Sequence, residues 1–297
     1  MAFRPHSKKQ EKAIFSDKRI VATLTGIQWG KTTVGAVKMK MWMHKWCDST
    51  DNFIILAPTY KILNQSSLPE FQRIMQGCGE FNKGDMEFKM RGGGTAYIRT
   101  ATDANAIVGI TKVRGVWIDE AGLLTLYAWE NAQQRASFLE APICITSSPY
   151  TLNWLYKEVV RPKMRDPEAL ADVDLIRAAS NENPYFPNKE YQRKKETMAP
   201  RRFNMVYGGN WEKAEGLVYS CFDEEENQIA PCKLPQGTAF YGGIDWGFTH
   251  PFVLTVQAIT PAGMHYQVSE FLKHGMTLEE IKNVCFQAKR TWGIKRF

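Results

Sequence analysis

The sequence contains no run of eighteen apolar residues, and Met1 to His6 lack the apolar stretch of a signal peptide. With no helical membrane span and no secretory leader expected from these absences, a soluble intracellular protein is the expectation. Cysteine is too sparse and too scattered for a framework. The six residues at 47, 78, 144, 221, 232 and 285 form no CxxC pair, and none sits near histidine at zinc-ligand spacing. A reduced, structural role is expected for all of them. There is no internal repeat and no low-complexity tract. What is present is ordinary for a globular chain: 44% apolar and 23% charged residues over 297 positions, enough for one large α/β domain and part of a second. The one bias is basic. Lys and Arg number 38 against 31 acids, a net charge of +7 that suits a polyanionic partner such as nucleic acid.

Four short apolar runs, Arg19 to Leu24, Asn52 to Ala57, Gly115 to Asp119 and Pro142 to Thr146, read as strands of a buried parallel sheet with helical patterns between some of them. Glu87 to Met90 and Thr95 to Thr100 flank Arg91 and three glycines, which predicts a β-hairpin on the crossover. A second unit is expected from about Gln236, with strands at Ala239 to Asp245, Phe252 to Ile259 and His265 to Phe271 and a helix from Thr277 to Trp292. The intervening stretch, with Glu224 to Glu226 and two prolines, reads as a linker. The expected division is therefore 1–210, 211–236 and 237–297.

The segment Val21 to Gly35 is a strand, a tight loop and a helix start, the arrangement of a phosphate cradle. Backbone N–H groups from Gly26, Ile27, Gln28, Trp29 and Gly30 onward would face the anion. Lys31 would reach the β and γ phosphates, Thr32 would offer its hydroxyl to Mg²⁺, and Thr33 would complete the cradle. The usual pattern places Gly where Thr25 stands, with Gly26 one residue later. Val116 to Glu120 reads as a buried strand ending in two carboxylates at the C-terminal edge of the sheet. Asp119 suits the Mg²⁺ shell of bound ATP and Glu120 the activation of the attacking water.

These segments, in this order, resemble the large subunit of tailed-phage DNA-packaging terminases over nearly the whole chain. Phe3 to Gln10 is similar to that family's adenine motif, with Gln10 as the base contact. Ile55 to Tyr60 is similar to its second-strand segment, and Ile118 to Ala121 to its Walker B strand. Ile145 to Pro149, with Thr146 and Ser147, is similar to its coupling motif. Asn183-Pro184, Tyr207 to Trp211 and Gly216 to Tyr219 are similar to its run into the linker, and Ile244 to Gly247 to the first strand of its RNase H-like nuclease.

The resemblance implies a P-loop NTPase (RecA/ASCE-like) α/β domain followed by the first strands of an RNase H-like domain. It also implies ATP and Mg²⁺ as cofactors, and double-stranded DNA, a portal protein and a small terminase subunit as partners. The resemblance further implies a homo-oligomeric ring when assembled, and a location in the host cytoplasm that becomes transiently the portal vertex of a procapsid. Asp245 corresponds to a ligand of the nuclease Mg²⁺ or Mn²⁺, with Glu270 as a candidate assistant. The family's later acids would fall beyond Phe297, so the nuclease half is expected to be incomplete. Two departures concern arginine: Ile27 and Val108 stand where the family often has Arg. Arg99, Arg114, Arg135 and Arg202 are the remaining candidates for an arginine finger. A helicase-like translocase or remodeller is the alternative, because it combines the same Gln, P-loop and Asp-Glu features. A nucleotide-gated DNA-binding scaffold without catalysis is a further one.

Overall fold

The computed structural model describes residues 3–48, 50–103, 105–212 and 227–297. Contacts divide the chain into two compact units, Met1–Val218 and Tyr219–Phe297. The expected segment Gly216 to Tyr219, Cys221 and the acidic run Glu224 to Glu226 lie outside the described residues.

The first unit is built on an eight-stranded sheet. Its strands are β1 (Ile20–Thr25), β2 (Asn52–Ala57), β3 (Gly79–Asn82), β4 (Glu87–Met90), β5 (Thr95–Thr100), β6 (Val113–Asp119), β7 (Ile143–Ser147) and β8 (Val173–Ala178). They lie in the order β3-β4-β5-β2-β6-β7-β1-β8. From β5 to β8 all neighbours run parallel, whereas β3, β4 and β5 are antiparallel. The central strands carry near-continuous apolar runs because both faces are covered. Along them the side chains alternate between two layers. Ile54, Leu56, Val116 and Ile118 face a layer that includes Ala128, Trp129 and Ala132 of a helix at Leu126–Ser137. Phe53, Ile55 and Trp117 face one that includes Met39, Trp42 and Met43 of a helix at Lys31–Lys45.

The principal helices are α1 (Lys8–Phe15), α2 (Lys31–Lys45), α3 (Leu68–Ile74), α4 (Leu126–Ser137), α5 (Asn188–Thr197) and α6 (Pro200–Val206), with α7 (Leu278–Trp292) in the second unit. Gly35 allows α2 to lie against the sheet, since a Cβ there would stand 2.0 Å from Nε1 of Trp117. The parallel strands bring the ends of β1, β6, β7 and β8 to one edge, which is where the site is found.

The expected strands are present with shifts of one or two residues: Ile20–Thr25, Val113–Asp119 and Ile143–Ser147 replace the expected boundaries. Two strands escaped the reading. Val173–Ala178 is an edge strand that carries Asp174 and Arg177 and so has no apolar run, and Gly79–Asn82 is short and alternating.

The second unit has a three-stranded antiparallel sheet, order β11-β10-β9, with β9 at Ala239–Asp245, β10 at Phe252–Ile259 and β11 at His265–Lys273. β10 alternates buried and half-buried residues, and Phe252 and Leu254 pack with Ile281 of α7. Thr277 caps α7 in a reciprocal capping box with Glu280, and Gly293 ends it in the left-handed conformation.

Candidate nucleotide site

The loop between β1 and α2 is shaped by its neighbours. The N–H of Gly26 donates to Ala178 O at 2.9 Å, and a Cβ on Gly26 would lie 2.3 Å from Tyr207 O and 2.5 Å from Ser180 Oγ. This close approach explains glycine here, one position later than in the usual pattern, while Thr25 ends the strand fully buried. The next three carbonyls are each drawn away from the loop by a side chain. Ser180 Oγ donates to Ile27 O at 2.7 Å, Asn183 Nδ2 to Gln28 O at 2.8 Å, and His6 Nε2 to Trp29 O at 2.8 Å. Gln28 and Gly30 have φ of 58° and 99°. Among the described residues the N–H groups of Gln28 to Thr33 meet no backbone acceptor, so a run of donors converges at the N-terminus of α2.

Trp29 contributes backbone only, since its ring is buried in the core with Val34 and Ile14. Ile27 packs beside Phe186, Phe203 and Tyr207. Gln10 is buried against the loop: its Oε1 accepts the N–H of His6 at 2.9 Å, and its Nε2 lies 2.9 Å from where a Cβ on Gly30 would be.

At the end of β6 the two acids have separate surroundings. Asp119 is fully buried. Its Oδ1 accepts Thr146 Oγ1 at 2.7 Å and Thr32 Oγ1 at 3.5 Å, and its Oδ2 accepts Ser67 Oγ at 2.7 Å. Burial, reinforced by neighbouring Glu120, holds its carboxyl above the ordinary carboxylate range despite the opposing hydrogen bonds from Ser67 and Thr146 and the charge of Lys31. Glu120 is in the left-handed conformation, φ 47°, which turns it out of the strand. Its Oε1 lies 3.1 Å from Lys31 Nζ, and its Oε2 accepts Tyr150 OH at 3.0 Å and Ser148 N–H at 3.2 Å. Burial and the adjacent Glu120 push the Tyr150 phenol well above its usual value, so it remains a donor.

The segment after β7 is stitched to the loop after β6. Gly122 N–H donates to Ser147 Oγ at 2.9 Å, and Asn153 Nδ2 donates to Gly122 O. Thr146 links Asp119 to Trp117, whose Nε1 donates to it at 2.8 Å. Ser67, Tyr150, Ser180 and His6 were not singled out from the sequence, because a lone hydroxyl or ring far along the chain carries no local signal.

The four candidate arginines make no hydrogen bond or ion pair to Lys31 or Glu120. Arg114 pairs with Asp51 at 3.1 Å, five residues before Asp119 and so at the opposite edge of the sheet. Arg99 binds the carbonyls of Asp85, Met86 and Ile98, and Arg135 binds Val108 O at 2.6 Å. Arg202 is exposed on α6.

No protein-family model and no curated protein matches the sequence. Solved structures do match. The large terminase of a thermophilic bacteriophage aligns with TM-score 0.61 and 21% identity over 97% of this chain and 74% of that one. The fold is that of a bacteriophage large terminase. The same phage protein in complex with ATP-gamma-S aligns with TM-score 0.60 and 20% identity over 99% of this chain and 82% of its own. The ATPase domain of the Thermus phage P74-26 large terminase matches 71% of this chain and 95% of its own length, with TM-score 0.58 and 19% identity. The eight-stranded unit thus has the terminase ATPase fold.

In the second unit Asp245 is exposed at the end of β9. Asp245 is in register with Val253 of β10, whereas Glu270 of β11 is in register with Thr255. Two strand spacings, roughly 10 Å between backbones, lie between the two acids. Among the described residues no group of three or more His, Cys, Asp or Glu side chains converges. The described residues by themselves form no two-metal centre, and no nuclease step is derived from them.

Proposed function

We propose that this chain is an ATP-hydrolysing motor subunit that drives double-stranded DNA into a viral procapsid. The observation that carries the reading is the convergence of Lys31, Thr32, Asp119 and Glu120 on a run of free N–H donors, within a terminase ATPase fold. The donors and Lys31 bind the phosphates. Arrival of a γ-phosphate gives Lys31 a second anion, and Glu120, still held by Tyr150 and Ser148, is then free to take the proton of the attacking water.

Thr32 and Asp119 form the hard oxygen pair suited to Mg²⁺, which supplies neutralisation of charge on the β and γ phosphates. Gln10 faces the base. Thr146 and Ser147 report on both acids' loops, so γ-phosphate loss is felt along β7.

In this reading 1–210 form the ATPase, 211–236 a linker and 237–297 a unit of RNase H-like type, in which Asp245 remains a candidate metal ligand. The antiparallel second sheet supports this over a helicase, which would follow with a second parallel core. DNA, a portal protein and a small terminase subunit are the partners, in the host cytoplasm and at the portal vertex. Among the described residues no helix is long and apolar enough to cross a membrane.

Arg99, Arg114 and Arg135 are bound elsewhere, which favours a transition-state arginine supplied in trans, with Arg202 the exposed candidate. The test is phosphate release with and without double-stranded DNA over a wide protein concentration range. Turnover is expected to rise with DNA and with assembly, by up to about 10³ to 10⁵ where a finger acts in trans. Absence of any Mg²⁺-dependent ATP turnover would refute the reading.

A further inference from the structure

A π-helix, Leu63–Ser67, runs directly into α3. A π turn takes in an extra residue and re-aims the helix beyond it, and such turns are frequent at functional sites. Here its last residue, Ser67, is 0% exposed and donates to Asp119 Oδ2 at 2.7 Å. Three residues on, and therefore on the same helical face, Glu70 accepts the hydroxyl of Thr33 at 2.5 Å. Arg73 holds Glu70 through two bonds of 2.7 Å. Between these contacts Leu68 and Phe71 anchor the helix in the core. One short helix thus grips both the start of α2 and the end of β6.

We infer that Ser67 is the positioning residue of the Asp119 carboxylate and that the Thr33–Glu70 contact is the clasp that keeps it there. The inference rests on the proposed function, in which Asp119 serves the Mg²⁺ of the nucleotide. Oδ1 is the oxygen that faces Thr32, and Oδ2 has Ser67 as its one hydrogen-bond donor among the described residues. Without that donor the carboxylate is held at one oxygen instead of two, by Thr146 at 2.7 Å on Oδ1, and its plane is less firmly set toward Thr32. Outer partners of a metal ligand typically set about 10- to 100-fold of metal affinity. Nothing in the sequence separates Ser67 from Ser66 beside it, and its partner lies 52 residues away.

The test uses the whole chain and a fluorescent ADP analogue, titrated in Mg²⁺ and in EDTA. Ser67→Ala is expected to weaken binding about tenfold in Mg²⁺ and to leave affinity in EDTA unchanged. Glu70→Gln, at a half-buried position, is expected to show the same selective loss at about threefold, and it stands in if Ser67→Ala does not fold. Equal losses in Mg²⁺ and EDTA would make both residues merely structural and overturn the inference. Loss in Ser67→Ala alone would keep Ser67 and remove the clasp. Asp119→Asn separates the two levels of failure. If it abolishes the Mg²⁺ effect while Ser67→Ala and Glu70→Gln retain it, this inference fails alone. If the unaltered chain shows no Mg²⁺ effect, the reading of the site falls with it.

Discussion

Two strands of this protein end in the same dipeptide, Ile118-Asp119 in β6 and Ile244-Asp245 in β9. The first aspartate sits under two covered faces, meets donors from Thr146, Ser67 and Thr32, and carries a carboxyl held above its ordinary range by burial. The second stands exposed, with no hydrogen-bond partner among the described residues. The difference comes from the sheets. A parallel sheet collects strand ends, loops and helix starts at one edge, so polar groups there must pair with one another. The three-stranded antiparallel sheet is covered on one face by α7, and Asp245 needs no partner because water supplies it.

The comparison is tested most sharply at Glu120 and Asp245. Glu120→Gln is expected to lower ATP turnover by about 10² to 10⁴ while leaving nucleotide affinity in place, because a base acts only on the water. Asp245→Ala is expected to leave turnover unchanged. Near-normal turnover in Glu120→Gln, measured by phosphate release, would remove it from that role.

A smaller effect is expected at Gly35. A Cβ there would meet Trp117 at 2.0 Å, and Trp117 in turn holds Thr146 against Asp119. Gly35→Ala should cost about 1 to 3 kcal/mol by overpacking, read from the urea midpoint. A midpoint within error of the unaltered chain would show that the edge is packed more loosely than this contact implies.

The smallest effect has the opposite sign. A carboxyl whose folded pKa lies above its unfolded value keeps its proton longer in the native state. Its contribution to stability is therefore present below the unfolded value and lost as pH rises through the folded one. Asp119→Asn removes the buried charge while keeping an oxygen for Thr146. In EDTA it should raise the melting temperature by a few degrees, about 2 to 4 °C per kcal/mol, more at pH 8 than at pH 5. Asp245→Asn should not shift it. A lower melting temperature for Asp119→Asn would mean that its three donors outweigh its desolvation.

Much of this was legible along the chain. Gly30, Lys31 and Thr32 open a helix after a strand, and Asp119-Glu120 close another, because those tasks need residues at fixed local spacing. The hairpin at Arg91 to Gly94 and the helix from Thr277 to Trp292 were equally local. The edge strand Val173–Ala178 was not, because its Asp174 and Arg177 interrupt the apolar run by which buried strands are read.

The sequence by itself determined the cradle, the two acids, the order of the segments and hence the fold class, since each rests on neighbours in the chain and on apolar periodicity. Tertiary structure alone decided which oxygen of Asp119 meets Thr32, that Tyr150 and Lys31 share Glu120, and that Ser180, Asn183 and His6 turn the loop carbonyls outward. It also set Asp245 and Glu270 two strands apart. The physical reason is that hydrogen bonds and charges act over about 3 to 4 Å in space. Residues that meet at that distance across a parallel sheet come from segments whose separation along the chain leaves no periodic trace.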